Sequence, residues 1–209
     1  MKVLIADDHS FVREGVEMLL KEAYPFVEIT IVSDTVDLLR EVNKHAWDVI
    51  ITDISMPPGE SGLEAVKKIR EISPRTPILI LSMHAAEQYA VRAIKAGASG
   101  YLSKNGATLE LIKAVNQVMS GKKYVSPEVA HLLADAFEEG HSEQSLESLS
   151  DREFEVFNLL ASAKSISEIA KQLILSTNTI STFRARIFAK MHFVNNMELM
   201  KYAVDHKLV

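Results

Sequence analysis

A chain of 209 residues, 47 % hydrophobic and 24 % charged, has room for one large domain or two ordinary ones and can bury a real core. It contains no cysteine, which excludes disulfides and thiolate metal sites. No apolar run approaches the roughly 18–20 residues of a membrane span, and Met1-Lys2-Val3 runs straight into a strand pattern rather than a signal peptide, so a cytoplasmic protein with no membrane partner is expected.

The first 120 residues alternate. KVLIA (2–6), EITIV (28–32), DVIIT (48–52), PILILS (77–82) and SGYL (99–102) are strand-like. Between them run helical apolar spacings from Phe11 to Leu20, Val36 to Val42, Leu63 to Ile69, Ala90 to Ile94 and Leu109 to Val118. Five such units predict an α/β fold, a doubly wound parallel five-stranded sheet with helices on both faces, because parallel strands need crossover connections. Ser126-Pro127 then starts a connector helix, with Pro at the first helical position. EEGHSEQSLES (138–148) is polar and reads as a linker.

The last 61 residues show no strand alternation. Ser150-Asp-Arg-Glu153, Ser165-Ile-Ser-Glu168 and Asn195-Asn-Met-Glu198 each pair an N-cap residue with Glu three positions on, the capping-box pattern. Ser176 is a plausible cap for a helix over 177–191. Four short helices make a small all-α domain, and the short join between Leu173 and Ser176 suits a helix-turn-helix. Charge follows this division: residues 1–125 hold 15 Lys/Arg against 16 Asp/Glu, 126–148 none against 6, and 149–209 8 against 6. The expected domains are therefore 1–122, a connector and acidic linker at 123–148, and 149–209.

The strand ends carry the chemistry. The first runs out at Asp7-Asp8, the third at Asp53, the fourth at Ser82, and Lys104 follows the fifth. In a doubly wound sheet with strands one and three adjacent, these tips converge where ligands gather. Three close carboxylates repel, so a cation must neutralise them or their pKa values must rise. Hard oxygen ligands at an open, hydrated site favour Mg²⁺. The seven histidines show no HxxxH-type spacing, which argues against zinc. A carboxylate beside Mg²⁺, a hydroxyl and an ammonium is equipped for phosphoryl transfer, with Lys104 offsetting charge and Ser82 donating to a phosphoryl oxygen.

ADDH (6–9), DISMP (53–57), LSMH (81–84) and GASGYLSK (97–104) together resemble the receiver domain of two-component response regulators, over roughly residues 1–120. The resemblance implies that Asp53 accepts a phosphoryl group from a cognate histidine kinase. It implies that Asp8, Asp53 and the Ser55 carbonyl bind Mg²⁺ while Asp7 acts through water, and that Ser82 and Tyr101 form a switch pair. Two departures stand out: the loop before Gly62 is one residue longer than usual, and Asn105 replaces the proline that often follows the lysine.

The segment 149–191 resembles the LuxR-type helix-turn-helix that closes NarL/FixJ-family regulators, through Leu-Ser-x-Arg-Glu at 149–153, Glu168-Ile169-Ala170, Leu173 and Thr179-Ile180, and the similarity continues to residue 209. At about 100° per residue, Ile180, Ile187 and Met191 face the core, while Ser181, Thr182, Ala185 and Ala189 project outward with Arg186 on the flank. The family often has Lys at position 181, His at 183 and Gly at 163, where this chain has Ser, Phe and Ala. Thr179, Arg184, Lys190 and Lys171 complete the candidate contacts to double-stranded DNA, with Arg184 equally suited to an internal salt bridge. The expectation is a regulator, not an enzyme beyond its own phosphorylation and dephosphorylation, that forms a homodimer on activation. The rivals are a protein-interaction switch that no longer binds DNA, and an aspartyl phosphatase, which Ser55 in place of a second Asp disfavours.

Overall fold

The computed structural model describes residues 1–56, 61–84, 86–104, 107–138, 146–206 and 208. The chain separates into two compact units, Met1–Ala134 and Asp135–Val209.

In the first unit, β1 (Lys2–Ala6), β2 (Glu28–Val32), β3 (Val49–Thr52), β4 (Ile78–Ser82) and β5 (Gly100–Ser103) form one parallel sheet in the order β2-β1-β3-β4-β5. Its helices are α1 (Ser10–Ala23), α2 (Thr35–Lys44), α3 (Gly62–Ile72), α4 (Ala86–Ala96) and α5 (Ala107–Met119); α6 (Pro127–Glu138) runs across the division after Ala134. Every residue of β3 and β4 is buried, as expected for central strands covered on both faces. One side of the sheet (Val3, Ile5, Val49, Ile51, Leu79, Leu81) packs with Val16 and Leu20 of α1 and Leu111, Val115 and Val118 of α5. The alternating residues Leu4, Ile50, Ile78 and Ile80 point to the opposite face. Each such buried aliphatic side chain contributes about 1.5–3 kcal/mol.

The register aligns the strand tips. Ala6 pairs with Thr52, and the Asp53 amide donates to the Ala6 carbonyl at 2.8 Å, so Asp7 and Asp53 leave the sheet side by side. Lys104 is tied in the same way, its amide donating to the Ser82 carbonyl at 2.8 Å. The chain reverses its direction of winding between β1 and β3, which is where a doubly wound sheet opens its crevice. Gly62 holds the segment after Asp53 close: its amide donates to Ile54 at 2.9 Å, and a Cβ there would lie 2.6 Å from the Ile54 Cα. The extra residue of the preceding loop (57–60) and the Lys104-Asn105 peptide lie outside the described residues.

The second unit contains α7 (Asp151–Ala161), α8 (Ile166–Leu173), α9 (Thr177–Met191) and α10 (Asn196–Asp205). Both serine capping boxes form in full, at Ser150–Glu153 and Ser165–Glu168. The third differs from expectation. Asn195 does cap the Glu198 amide at 3.1 Å, but the Glu198 carboxylate reaches past the cap to the Val194 amide at 2.8 Å. Ile180, Ile187 and Met191 are buried along one side of α9, with Phe154, Phe157, Ile169 and Leu199 in the same core. Phe157, Phe188, Phe193 and Tyr202 form an aromatic cluster beside them. Among the described residues no helix is long and apolar enough to cross a membrane.

Candidate functional site

Asp53 is 4 % exposed and Asp7 2 % exposed, so two carboxylates share a desolvated pocket at the β1/β3 tips. Lys104 bridges them, its Nζ 2.6 Å from Asp7 Oδ2 and 2.7 Å from Asp53 Oδ2. The other Asp53 oxygen, Oδ1, accepts the Ile54 amide at 2.6 Å and the Ser55 amide at 3.4 Å. Burial pushes the Asp53 carboxyl above its ordinary range; the Lys104 ammonium pulls it down, and the Asp7 charge adds to the upward push. Lys104 itself is raised: burial alone would lower it, but the two carboxylates outweigh that effect. The cluster is thus held one positive charge short of neutrality when both acids are ionised.

The oxygens of Asp7, Asp8 and Asp53 and the His9 ring lie within 4.8 Å of one another. Asp7 Oδ2 is buried, and its contact is the ion pair with Lys104 at 2.6 Å. Three carboxylates that supply hard oxygen ligands, with one imidazole among them, fit a hard divalent cation such as Mg²⁺. His9 enters the cluster although histidine spacing alone pointed away from it. Its amide donates to Asp7 Oδ1 at 2.9 Å, and its Nδ1 lies 2.7 Å from Asp8 Oδ1. Arg13 also comes in, donating to the Asp7 backbone carbonyl at 2.7 Å from the first turn of α1.

Ser82 is fully buried at the end of β4, and its hydroxyl oxygen accepts the His84 amide at 3.1 Å. Tyr101 is buried with its ring inward and its hydroxyl donates to the His84 carbonyl at 2.8 Å. The His84 ring pairs through Nε2 with Ser55 Oγ at 3.1 Å and packs on Tyr89 with ring centres 4.6 Å apart. His84 therefore ties Ser55, Ser82 and Tyr101 together. Its place two residues after Ser82 was the available signal, and residue type alone did not single it out.

On α9, Ser181, Thr182, Ala185, Arg186 and Ala189 are exposed. The Ser181 and Thr182 hydroxyls donate back to the Thr177 and Asn178 carbonyls, at 2.9 and 3.0 Å. Their protons are spent inside the helix, so outward they offer acceptor lone pairs. Thr179 Oγ1 lies 2.8 Å from the capping Ser176 hydroxyl. Among the described residues Arg184 makes no ion pair: its Nε donates to Asn196 Oδ1 at 3.0 Å and its guanidinium stacks 4.2 Å from the Phe188 ring centre. Lys190 turns inward, with Nζ 2.6 Å from the buried Glu153 carboxylate and 3.0 Å from the Ser148 carbonyl. That leaves Arg186 and Lys171, with Lys201 of α10, as exposed cations of this unit without an ion pair among the described residues.

The family model for the response regulator receiver domain matches residues 3–116, and that for bacterial regulatory proteins of the luxR family matches 147–203. The oxygen regulatory protein NreC of Staphylococcus epidermidis is 38 % identical over 216 residues, covering 100 % of this chain and 99 % of that protein. NreC of Staphylococcus carnosus is 37 % identical over 215 residues, with the same coverage. Among solved structures, RcsB from Salmonella enterica serovar Typhimurium bound to promoter rprA with the phosphomimetic BeF₃⁻ superposes with a TM-score of 0.64 at 29 % identity, covering 97 % of this chain and 98 % of that one. A second RcsB–DNA complex gives 0.59 at 30 % identity and 98 % coverage of both chains. The chain belongs to the two-component response regulators, with a receiver domain joined to a LuxR-type helix-turn-helix domain.

Proposed function

We propose that this protein is a DNA-binding transcription regulator controlled by phosphorylation of Asp53. The observation that carries the proposal is the buried Asp53 carboxylate, gripped by Lys104 beside Asp7 at the sheet's switch point. Phosphoryl transfer from a kinase phosphohistidine forms a P–O bond at an Asp53 oxygen and breaks the P–N bond, whose electron pair returns to the imidazole. Lys104 offsets the charge that builds on the phosphoryl oxygens, and the Ser82 hydroxyl, now an acceptor, turns to donate to one of them. Asp8, Asp53 and the Ser55 carbonyl would hold Mg²⁺, with Asp7 acting through water. When bound, the cation supplies the positive charge that lets three carboxylates and an incoming phosphoryl group share the site.

Freeing Ser82 removes the acceptor for the His84 amide, so the His84 tie to Tyr101 and Ser55 is where the change leaves the site. The domains are receiver 1–122, connector and linker 123–148, and DNA-binding 149–209. In the last, Ser181, Thr182, Ala185 and Arg186 face the major groove, flanked by Thr179, Arg184 and Lys171, while Lys190 serves chiefly to hold Glu153. With few free cations, a single copy binds weakly and a dimer on two half-sites is required. The RcsB structures, bound to promoter DNA and as dimers on DNA, support this arrangement.

The test is selection of bound duplexes from a random pool, with Mg²⁺ and with or without beryllofluoride. Paired half-sites that enrich more strongly with the mimic are expected. Enrichment that ignores the mimic removes the switch, and no enrichment under either condition removes the DNA reading in favour of a protein partner.

A further inference from the structure

At the opposite end of the receiver sheet from Asp53, a cavity of about 340 Å³ opens beside the starts of β4 and β5. Arg70, Arg75, Lys122 and Lys123 line it, with the Ser99 hydroxyl, and no Asp or Glu is among its lining residues. Four cations converge here without a carboxylate, and Arg70, the half-buried one, is partly withdrawn from water.

Two of the cations are tied to the backbone by hydrogen bonds, Arg70 half-buried and Lys123 exposed. Arg70 spends four N–H groups on the Gly97, Pro74 and Thr76 carbonyls and on Ser99 Oγ, at 2.7, 3.0, 2.6 and 3.2 Å. Gly97 makes room for it: φ there is +112°, and a Cβ would lie 2.7 Å from Arg70 Cγ. Lys123 donates to the Ala98 carbonyl. Carbonyl dipoles satisfy these donors but leave the charge uncancelled. Burial accordingly lowers both groups from their ordinary values, and Arg70 lowers Lys123 further. Ser99 Oγ accepts from Arg70 and from the Ile78 amide at 3.2 Å, and neither bond uses its own proton. Arg75 and Lys122 stand at the exposed rim, with no ion pair among the described residues.

We propose that this pocket binds the phosphate group of a small ligand, independently of phosphorylation at Asp53. Two rim cations and Lys123 supply charged donors, Ser99 a hydroxyl, and Arg70 the fixed field behind them. A compact dianion matches this charge better than a single carboxylate, and the volume suits a small molecule.

Calorimetric titration of the full chain with inorganic pyrophosphate at fixed ionic strength, without added Mg²⁺, tests the proposal. Saturable binding is expected, weakened about tenfold or more in an Arg75→Gln/Lys122→Gln variant whose Tm is unchanged. A Lys21→Gln/Lys44→Gln control, of equal charge, should bind like the parent. No saturable binding of pyrophosphate together with no capture by the vesicles, or equal loss in both variants, overturns it. A parallel arm with phosphatidylcholine vesicles containing phosphatidic acid separates the sources: capture by vesicles without binding of free pyrophosphate would assign the phosphate to a lipid headgroup.

Discussion

Two buried carboxylates in this chain each meet one lysine, and they behave in opposite ways. Asp53, 4 % exposed, is raised above its ordinary range; Glu153, 3 % exposed, is lowered below it. Burial pushes both up. At Glu153 it is overcome by Lys190 at 2.6 Å and by the capping-box bond from the Ser150 amide at 2.8 Å. At Asp53 the single lysine is shared with Asp7, whose charge pushes the same way as burial. The first pair is a structural clamp with every charge answered. The second is left with surplus negative charge, which is what a site for a cation and a phosphoryl group requires.

Neutralising each side separates the two. Asp53→Asn should abolish phosphoryl incorporation from a small-molecule donor such as acetyl phosphate, read by intact mass or labelled phosphate. It should also raise Tm at neutral pH. A carboxyl with a raised folded pKa favours the fold fully below its unfolded value of 3.8, and that support is lost as pH rises through the folded value. The gain in Tm should therefore shrink to nothing below about pH 3.8, and a Tm gain independent of pH would refute this account.

Lys190→Met should go the other way, destabilising the helical unit by about 1–2 kcal/mol, less than a fully buried pair because Lys190 is 40 % exposed. Glu153 has a lowered folded pKa, so its support is present above the unfolded value of 4.5 and lost as pH falls through the folded one. Denaturant melts of parent and variant, followed by circular dichroism, should converge in acid.

Smaller effects distinguish the clamp from its surroundings. Ile174, which ends α8, holds a left-handed φ of +53° and is 60 % exposed, a costly conformation for a β-branched side chain. Ile174→Asn should stabilise the unit by about 1 kcal/mol in the same melts; a loss of stability would show that this side chain packs against something essential. The last expected effect is on the exposed face of α9 proposed to meet DNA. Ser181→Lys adds one phosphate-reaching charge and should steepen the salt dependence of duplex binding by about 0.9 in log–log slope, measured by fluorescence anisotropy. An unchanged slope would place position 181 away from the backbone.

Much of this was legible in the order of residues. Apolar runs of four or five, each followed by helical spacing, specified the parallel sheet, because strands buried on both faces need continuous apolar character and a crossover. The tips Asp7, Asp53, Ser82 and Lys104 followed from where those runs stop, and the serine boxes announced α7 and α8 because capping is a local, three-residue interaction. Partner choice was not legible in the same way. Whether Lys190 faces DNA or Glu153, whether Arg184 pairs with an acid or stacks on Phe188, and that His9 and His84 join the receiver site depend on side chains brought together from distant positions. Glu198 reaching Val194 instead of its own cap residue is the same lesson at shorter range. Local periodicity and capping are written in neighbouring residues and so by themselves determined the elements and the polar strand tips. The balance of charge around Asp53, around Glu153 and in the cationic pocket at the far end of the sheet was decided only when folding set desolvation against the partners within reach.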